Sequence, residues 1–151
     1  MEARMTNPAL VLPAAQKAIG ALAKVVQSTD VPESTLELAH LRASQINGCA
    51  GCVVFGIDEA KKKGETDDRL HSVAVWRESP LFTEAERAVL ALTEAATRIA
   101  DRPEAVTDEI WLDAAKHFEE DELAAILLMI GMTNLFNRLN VTTKQPAVKS
   151  W

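Results

Sequence analysis

We predict an all-α fold, and three features of the sequence indicate it. Apolar residues recur at intervals of three and four through most of the chain, the spacing that places them on one face of a helix. Valine and isoleucine rarely alternate with polar residues, so the pattern typical of strands is scarce. Helix start and stop signals separate the periodic segments. Because 151 residues suit one domain and no shift in composition divides them, we predict a single domain over residues 1–151.

Three helices are predicted in the first part of the chain. The first, about residues 8–27, is rich in alanine, leucine and valine and stops before a Ser-Thr-Asp run. The second, about 32–47, begins at a proline that suits a first helical turn and ends at Asn47-Gly48, a pair that breaks helices. The third, about 49–63, ends in three lysines that suit the negative end of the helix dipole, and Gly64 suits a left-handed cap.

Four more helices follow. One begins at residues 66–68 with acidic side chains in its first turn and ends near 76–80. Thr83 and Glu86 are spaced as a capping box that opens the next helix, whose apolar positions reach Ile99. A short helix starts at 107–109. The last, about 121–139, is apolar nearly all round at its centre, which indicates the middle of a bundle or a subunit interface.

The charge balance and the start of the chain exclude several classes of protein. The net charge is −6, which argues against a nucleic-acid binder, since such proteins carry a basic face. No run of about 18 apolar residues is present, so we expect no membrane span. The first residues lack the basic and apolar regions of a secretory signal, and we therefore expect a cytoplasmic protein.

Cys49 and Cys52 carry the strongest local signal for chemistry. They are three residues apart at the predicted start of a helix, where unpaired N–H groups and the helix dipole favour a thiolate over a thiol. A thiolate attacks peroxides and disulfides, and a neighbouring thiol can resolve the sulfenic acid that results. The spacing therefore favours a redox-active pair.

Two further roles for the cysteine pair stay open. A structural zinc site needs about four ligands, and this chain has one cysteine pair with three histidines that do not follow a zinc-finger spacing. Two buried, inert cysteines are also compatible with the spacing. A thioredoxin fold does not fit, because no strand-and-helix context surrounds the motif.

Glu37 and His40 lie on the helix that precedes the cysteines. Glu37 is flanked by leucines, and burial among them would suit its carboxyl for proton transfer near neutral pH. His40 is three residues further on and so shares a face with it. Spacing alone favours a solvated glutamate and a surface or interface histidine over a catalytic pair.

The segment that joins these residues resembles a known family. Residues 37–52 read ELAHLRASQINGCAGC, which is similar to the core of the AhpD-like alkylhydroperoxidases of the carboxymuconolactone decarboxylase superfamily. The likeness covers about residues 33–100. Further short matches occur in the same order at Ala60 and at residues 64–66, 69–70, 76–80, 82–88 and 92–95.

The resemblance implies a fold and a set of roles. It implies an all-helical AhpD-like bundle that assembles into homo-oligomers, as dimers, trimers or hexamers. It implies that Cys52 attacks the peroxide and Cys49 resolves it, although the helix dipole alone favours Cys49 as the nucleophile. It also assigns a catalytic carboxylate to Glu37. Neither a metal nor a bound organic cofactor is expected.

One position departs from the family pattern. The family usually carries a histidine four residues after the second cysteine, where it relays a proton between the glutamate and the thiol. This chain has Gly56 there, which cannot move a proton. We hypothesise that His40 leans into the space that Gly56 leaves and replaces the missing imidazole.

These expectations combine into a thiol-dependent alkylhydroperoxide reductase. Its partners would be a hydroperoxide substrate and an external dithiol reductant. The apolar side chains of the last helix suit core or interface packing, and they also suit the lining of a pocket for an apolar hydroperoxide: Met129, Met132, Leu135 and Phe136. Two alternatives remain: a weakened family member acting as a redox sensor or ligand-binding scaffold, favoured by Gly56, and a decarboxylase, which needs no dithiol.

Overall fold

A computed structural model describes residues 2–147, and these residues form helices and no strand. A 3₁₀ turn spans Val73–Val75. The α-helices are α1 (Pro8–Val11), α2 (Pro13–Val26), α3 (Glu33–Ile46), α4 (Ala50–Lys62), α5 (Asp67–Ser72), α6 (Glu84–Thr97), α7 (Asp108–Ala115) and α8 (Glu120–Thr143). The predicted all-α class is confirmed.

Helix α3 lies between two hydrophobic clusters and packs against α4, α6 and α8. Leu36 and Ala39 on one face join the larger cluster, which draws on α6, α7 and α8. Leu38 and Leu41 on another face join the second cluster, built from α4, α5, the 3₁₀ turn and α6. Burying each leucine side chain contributes about 1.5–3 kcal/mol. The helix that carries Glu37 and His40 is thus fixed from both sides.

Local chemistry sets the ends of several helices, as predicted. Gly48 before α4 and Gly64 after it adopt φ values of +65° and +93°, a left-handed conformation that residues other than glycine rarely adopt. The capping box at α6 is confirmed: the Thr83 hydroxyl accepts from the Glu86 N–H at 3.2 Å, and the Glu86 carboxylate accepts from the Thr83 N–H at 2.8 Å.

Three predicted boundaries are wrong. The first helix is two helices, because Pro13 lacks an N–H and forces Leu12 out of the helical region, to φ −111° and ψ 94°. The fourth helix is α-helical only to Ser72, and the 3₁₀ turn then brings Val73 and Trp76 to the same buried side. The last helix continues past residue 139 to Thr143. The sequence shows no clear pattern from residue 141 onward, and residues 148–151 of this tail lie outside the described residues.

Helix α8 is buried on one side and also carries large apolar residues on its exposed side. Ile126, Ile130 and Asn137 are buried against the bundle, whereas Leu128 and Leu135 are exposed on the outer face. Among the residues that the structure describes, α8 alone has the length and apolar composition of a membrane span, a weak indication because core helices share these properties. Its contacts with α2, α3, α4, α6 and α7 are those of a core helix.

Candidate active site

The junction of α3 and α4 places the two cysteines together. Cys49 is the N-cap of α4, and its Sγ accepts a hydrogen bond from the Cys52 N–H at 3.4 Å. The two residues are joined as a disulfide, with their Cα atoms 5.3 Å apart. Both are buried. Within residues 2–147, no three histidine, cysteine, aspartate or glutamate side chains are grouped to hold a metal ion.

Cys52 lines a cavity of about 490 Å³, whereas Cys49 is not part of its wall. The volume is in the range of small-molecule sites. Of the polar wall residues, His40 and Asn140 contact Cys52. The apolar part of the wall comes from Ala9, Leu10, Ile19, Phe55, Met129, Met132 and Phe136. Three of the four α8 side chains that suited a pocket therefore lie in its wall. Leu135 does not, and it is 42% exposed on the outer face.

His40 contacts the backbone of Cys52. Its Nε2 lies 3.3 Å from the Cys52 carbonyl oxygen, and its Nδ1 lies 3.3 Å from the Thr133 hydroxyl. A carbonyl only accepts, so Nε2 carries the proton and Nδ1 accepts from Thr133 when the ring is neutral. Burial lowers the pKa of the imidazole, although the charge of Glu37 and the bond to Cys52 act in the opposite direction. The ring is therefore neutral at pH 7.

Gly56 and His40 occupy one space. A Cβ atom at position 56 would lie 2.7 Å from Cδ2 and 3.1 Å from Nε2 of the His40 ring. Atoms that close must shift, so no other residue fits at 56 while His40 stays in place. The ring lies where we hypothesised it, beside Gly56; its role in proton transfer stays a prediction.

Glu37 also lines the cavity, with 18% of its side chain exposed. Its carboxylate forms an ion pair with the Lys63 ammonium at 2.9 Å, and Glu33 binds the same ammonium at 2.6 Å. Burial lowers the pKa of Lys63, but the two carboxylates outweigh this effect and raise it. Lys63 stays charged, and Glu37 is half-buried between the cavity and the solvent.

Two residues of the site have no signal in the sequence. The Asn140 side chain of α8 donates from Nδ2 to Cys52 Sγ at 3.3 Å. Asn7, which precedes α1, donates from Nδ2 to Asn140 Oδ1 at 2.7 Å. The partners are 88 and 133 residues apart in the chain, so no local spacing could have connected them.

Comparison with known sequences places the chain in a family. Residues 13–95 match the model of the carboxymuconolactone decarboxylase family. The chain is 30% identical over 131 residues to the uncharacterised protein YdfG of Bacillus subtilis, covering 87% of this chain and 88% of that protein. It is 34% identical over 110 residues to YnjA of Escherichia coli, covering 73% of this chain and 59% of YnjA.

Solved structures share the fold. A protein of unknown function from Agrobacterium tumefaciens, provisionally assigned as the antioxidant defence protein AhpD, superimposes with a TM-score of 0.89 at 36% identity, over 97% of this chain and 99% of that one. The debrominase Bmp8, in complex with 2,3,4-tribromopyrrole, superimposes with a TM-score of 0.79 at 20% identity, over 90% of this chain and 72% of that one, and shows the fold alone. The chain therefore belongs to the carboxymuconolactone decarboxylase family, as an AhpD-like member.

Proposed function

We propose that this protein is a thiol peroxidase that reduces hydroperoxides with the Cys49–Cys52 pair. One observation carries the proposal: Cys52 opens onto a cavity that also holds Glu37 and His40, while its disulfide partner Cys49 lies outside the wall. Such a cycle requires a sulfur that meets the substrate, a second sulfur within bonding distance, and groups that can move protons.

The first step oxidises Cys52. Its thiolate attacks the terminal oxygen of the hydroperoxide, so an S–O bond forms as the O–O bond breaks. The sulfur is oxidised to a sulfenic acid and the peroxide is reduced to an alkoxide, which takes a proton and leaves as an alcohol, or as water from hydrogen peroxide. Glu37 takes the proton from the Cys52 thiol as the thiolate forms, and that proton passes to the alkoxide through His40 or water.

The second and third steps restore the pair. Cys49 gives up its thiol proton and attacks the Cys52 sulfur, so that the S–S bond forms and the hydroxyl leaves with that proton as water. An external dithiol then exchanges with the disulfide, is itself oxidised to a disulfide, and returns both thiols. A reducing compartment such as the cytoplasm would maintain this dithiol.

Access to the cavity favours Cys52 as the nucleophile. The helix dipole acts most strongly on Cys49, because Cys49 is the N-cap of α4. However, a nucleophile must meet its substrate, and the Cys52 side faces the 490 Å³ cavity. We therefore assign attack to Cys52 and resolution to Cys49.

Single-cysteine variants test this assignment. In Cys49→Ser, the serine retains an N-cap acceptor, and hydroperoxide should leave a sulfenic acid on Cys52 that dimedone traps. In Cys52→Ser, hydroperoxide should go unconsumed and no adduct should form. Dimedone labelling of Cys49 in Cys52→Ser, with none in Cys49→Ser, would reverse the assignment.

A non-catalytic member is the second candidate, and the burial of both sulfurs favours it: Cys49 is 2% and Cys52 4% exposed. Such a redox sensor or scaffold would lose its thiols slowly to peroxide and would not turn over. A decarboxylase is the third candidate, and the disulfide pair is a feature that its chemistry does not need. Steady-state peroxide consumption with dithiothreitol separates the peroxidase from both.

A further inference from the structure

We propose that Asn140 is a further catalytic residue, whose amide holds the Cys52 sulfur as a thiolate, and that Asn7 is a positioning residue that fixes the direction of that amide. The catalytic consequence rests on the proposed peroxidase function, but the effect on the thiol does not. The proposal rests on two hydrogen bonds, one from Asn7 to Asn140 and one from Asn140 to Cys52 Sγ.

The bonding pattern determines which way the Asn140 amide points. Asn7 Oδ1 already accepts the Ala9 N–H at 3.0 Å, as the N-cap of α1. The Asn7 NH₂ group is therefore the end that faces Asn140, and a donor there requires an acceptor, Asn140 Oδ1, at 2.7 Å. The Asn140 NH₂ group is left to face Cys52 Sγ, at 3.3 Å. The N-terminal segment thereby keeps a donor, rather than an acceptor, on the sulfur.

A buried donor distinguishes a thiolate from a thiol. Asn140 is 6% exposed and Cys52 4%, so water screens their bond little. A charged sulfur accepts a hydrogen bond far more strongly than a neutral thiol or a disulfide sulfur does, and the bond therefore favours the thiolate. The amide should lower the pKa of the Cys52 thiol and stabilise the pair in its reduced state.

Few charged groups compete for this effect. His40 and Glu37 on α3 are the titratable side chains in the wall of the cavity, within the described part of the chain. Apart from Cys52 itself, which titrates once it is reduced, the wall residues from α1, α2, α4 and α8 do not titrate. Because Asn140 approaches from α8, its contribution can be removed without changing either α3 residue.

The test measures the pKa of a single thiol. In a Cys49→Ser background, the rate of iodoacetamide alkylation against pH reports the pKa of Cys52. Adding Asn140→Leu, a change of similar volume, should raise this pKa by about one unit, which lowers the thiolate fraction about tenfold at pH values below the pKa. Asn137→Leu is the matched control: it removes a buried asparagine one turn away that binds Ser44 and Asn47, not sulfur. Equal pKa values in all three proteins would overturn the proposal, as would equal shifts in the two leucine variants.

Asn7→Asp tests the positioning role. The aspartate keeps an acceptor for the α1 cap but cannot donate to Asn140, so the Asn140 amide should turn and present its oxygen to the sulfur. The Cys52 pKa should rise, and most of that rise should vanish in an Asn140→Leu background, where only the added charge acts. An identical rise in both backgrounds would show that charge alone is responsible and would overturn the positioning role.

The two proposals fail separately. If the pKa shifts occur but the wild-type protein does not reduce hydroperoxides, the effect of Asn140 on the Cys52 thiol stands and the peroxidase function fails. If hydroperoxides are reduced and Asn140→Leu leaves the Cys52 pKa unchanged, the peroxidase function stands and the role of Asn140 is lost.

Discussion

At the scale of single residues, the close approach of the His40 ring to Gly56 is a defining feature of this site. A glycine within α4 costs about 1 kcal/mol of helix stability relative to alanine, so its presence calls for a compensating contact. That contact is the His40 ring, whose Cδ2 lies 2.7 Å from the position that a Cβ of residue 56 would take. The glycine thus makes room for an imidazole that comes from α3.

Moving the imidazole between the two helices tests the role of the ring. We expect His40→Gln to lower peroxide turnover by about 100-fold if the ring serves proton transfer. The double variant His40→Ala, Gly56→His should recover part of that loss, because the space that His40 vacates admits the new side chain. The single variant Gly56→Ala, which displaces His40, should resemble His40→Gln in turnover. Wild-type turnover in His40→Gln would contradict this role.

Glu37 and Glu33 provide a matched pair of carboxylates. Both bind Lys63, but Glu37 lines the cavity that contains Cys52 and Glu33 does not. We expect Glu37→Gln to reduce turnover about tenfold or more, and Glu33→Gln to change it less than about twofold, since of these two carboxylates only Glu37 reaches the cavity. Equal effects of the two variants would show that Lys63, rather than the carboxylate, is the important group.

At the scale of elements, Glu94 ties α6 to α3 and to the turn after α5. Its carboxylate accepts from Arg42 at 2.6 Å, from Trp76 at 3.0 Å and from Arg77 at 2.7 Å. Burial raises the pKa of Glu94, but these donors together outweigh burial and lower it. At Glu86, burial also raises the pKa of the carboxyl, but Arg69 and the hydrogen bonds from Thr83 outweigh burial and lower it.

The directions of these pKa shifts, together with that of His40, predict that stability is lost in two stages as the pH falls. A carboxyl whose pKa is lowered by folding stabilises the protein fully above its unfolded pKa, about 4.3, and the contribution is lost as the pH falls through the folded value. The lowered pKa of His40 adds an earlier loss as the pH falls through about 6.5, because the unfolded imidazole takes up its proton first.

Urea unfolding between pH 8 and pH 3 measures both stages. His40→Gln should remove the upper stage, and Glu94→Gln should weaken the lower one while costing about 2 kcal/mol at pH 7, since it leaves Arg42 poorly paired. A stability that is constant from pH 7 to pH 3 would contradict both assignments.

The helices and their ends could be predicted from the sequence where the residues that determine them are close together in the chain. The all-α class, the capping box at Thr83 and the left-handed glycine at 64 follow from neighbouring residues, and the structure has them. The break at Pro13 was missed because the alanine-rich sequence on both sides has high helix propensity. Asn7 and Asn140 could not be found, because only the tertiary fold brings them to Cys52.

At the scale of the whole molecule, the outer face of α8 predicts self-association. Leu127, Leu128 and Leu135 are 38%, 41% and 42% exposed on one helix, more apolar surface than a solvated helix face carries. We expect light scattering after size exclusion to give a multiple of the 16.5 kDa chain mass. Leu128→Glu with Leu135→Glu should give the single chain. Val75→Glu, which changes a 64% exposed valine elsewhere, should leave the assembly intact, and a monomeric wild-type protein would contradict the prediction.

In the proposed function, one catalytic cycle consumes one hydroperoxide and oxidises both thiols. The most direct measurement mixes reduced protein, freed of reductant, with one equivalent of hydroperoxide and follows thiols and peroxide together. We predict that two thiols disappear for each peroxide consumed, that intact mass falls by two hydrogens, and that dithiothreitol restores both the thiols and the mass. Thiols that persist while the peroxide remains unconsumed would contradict the peroxidase function outright.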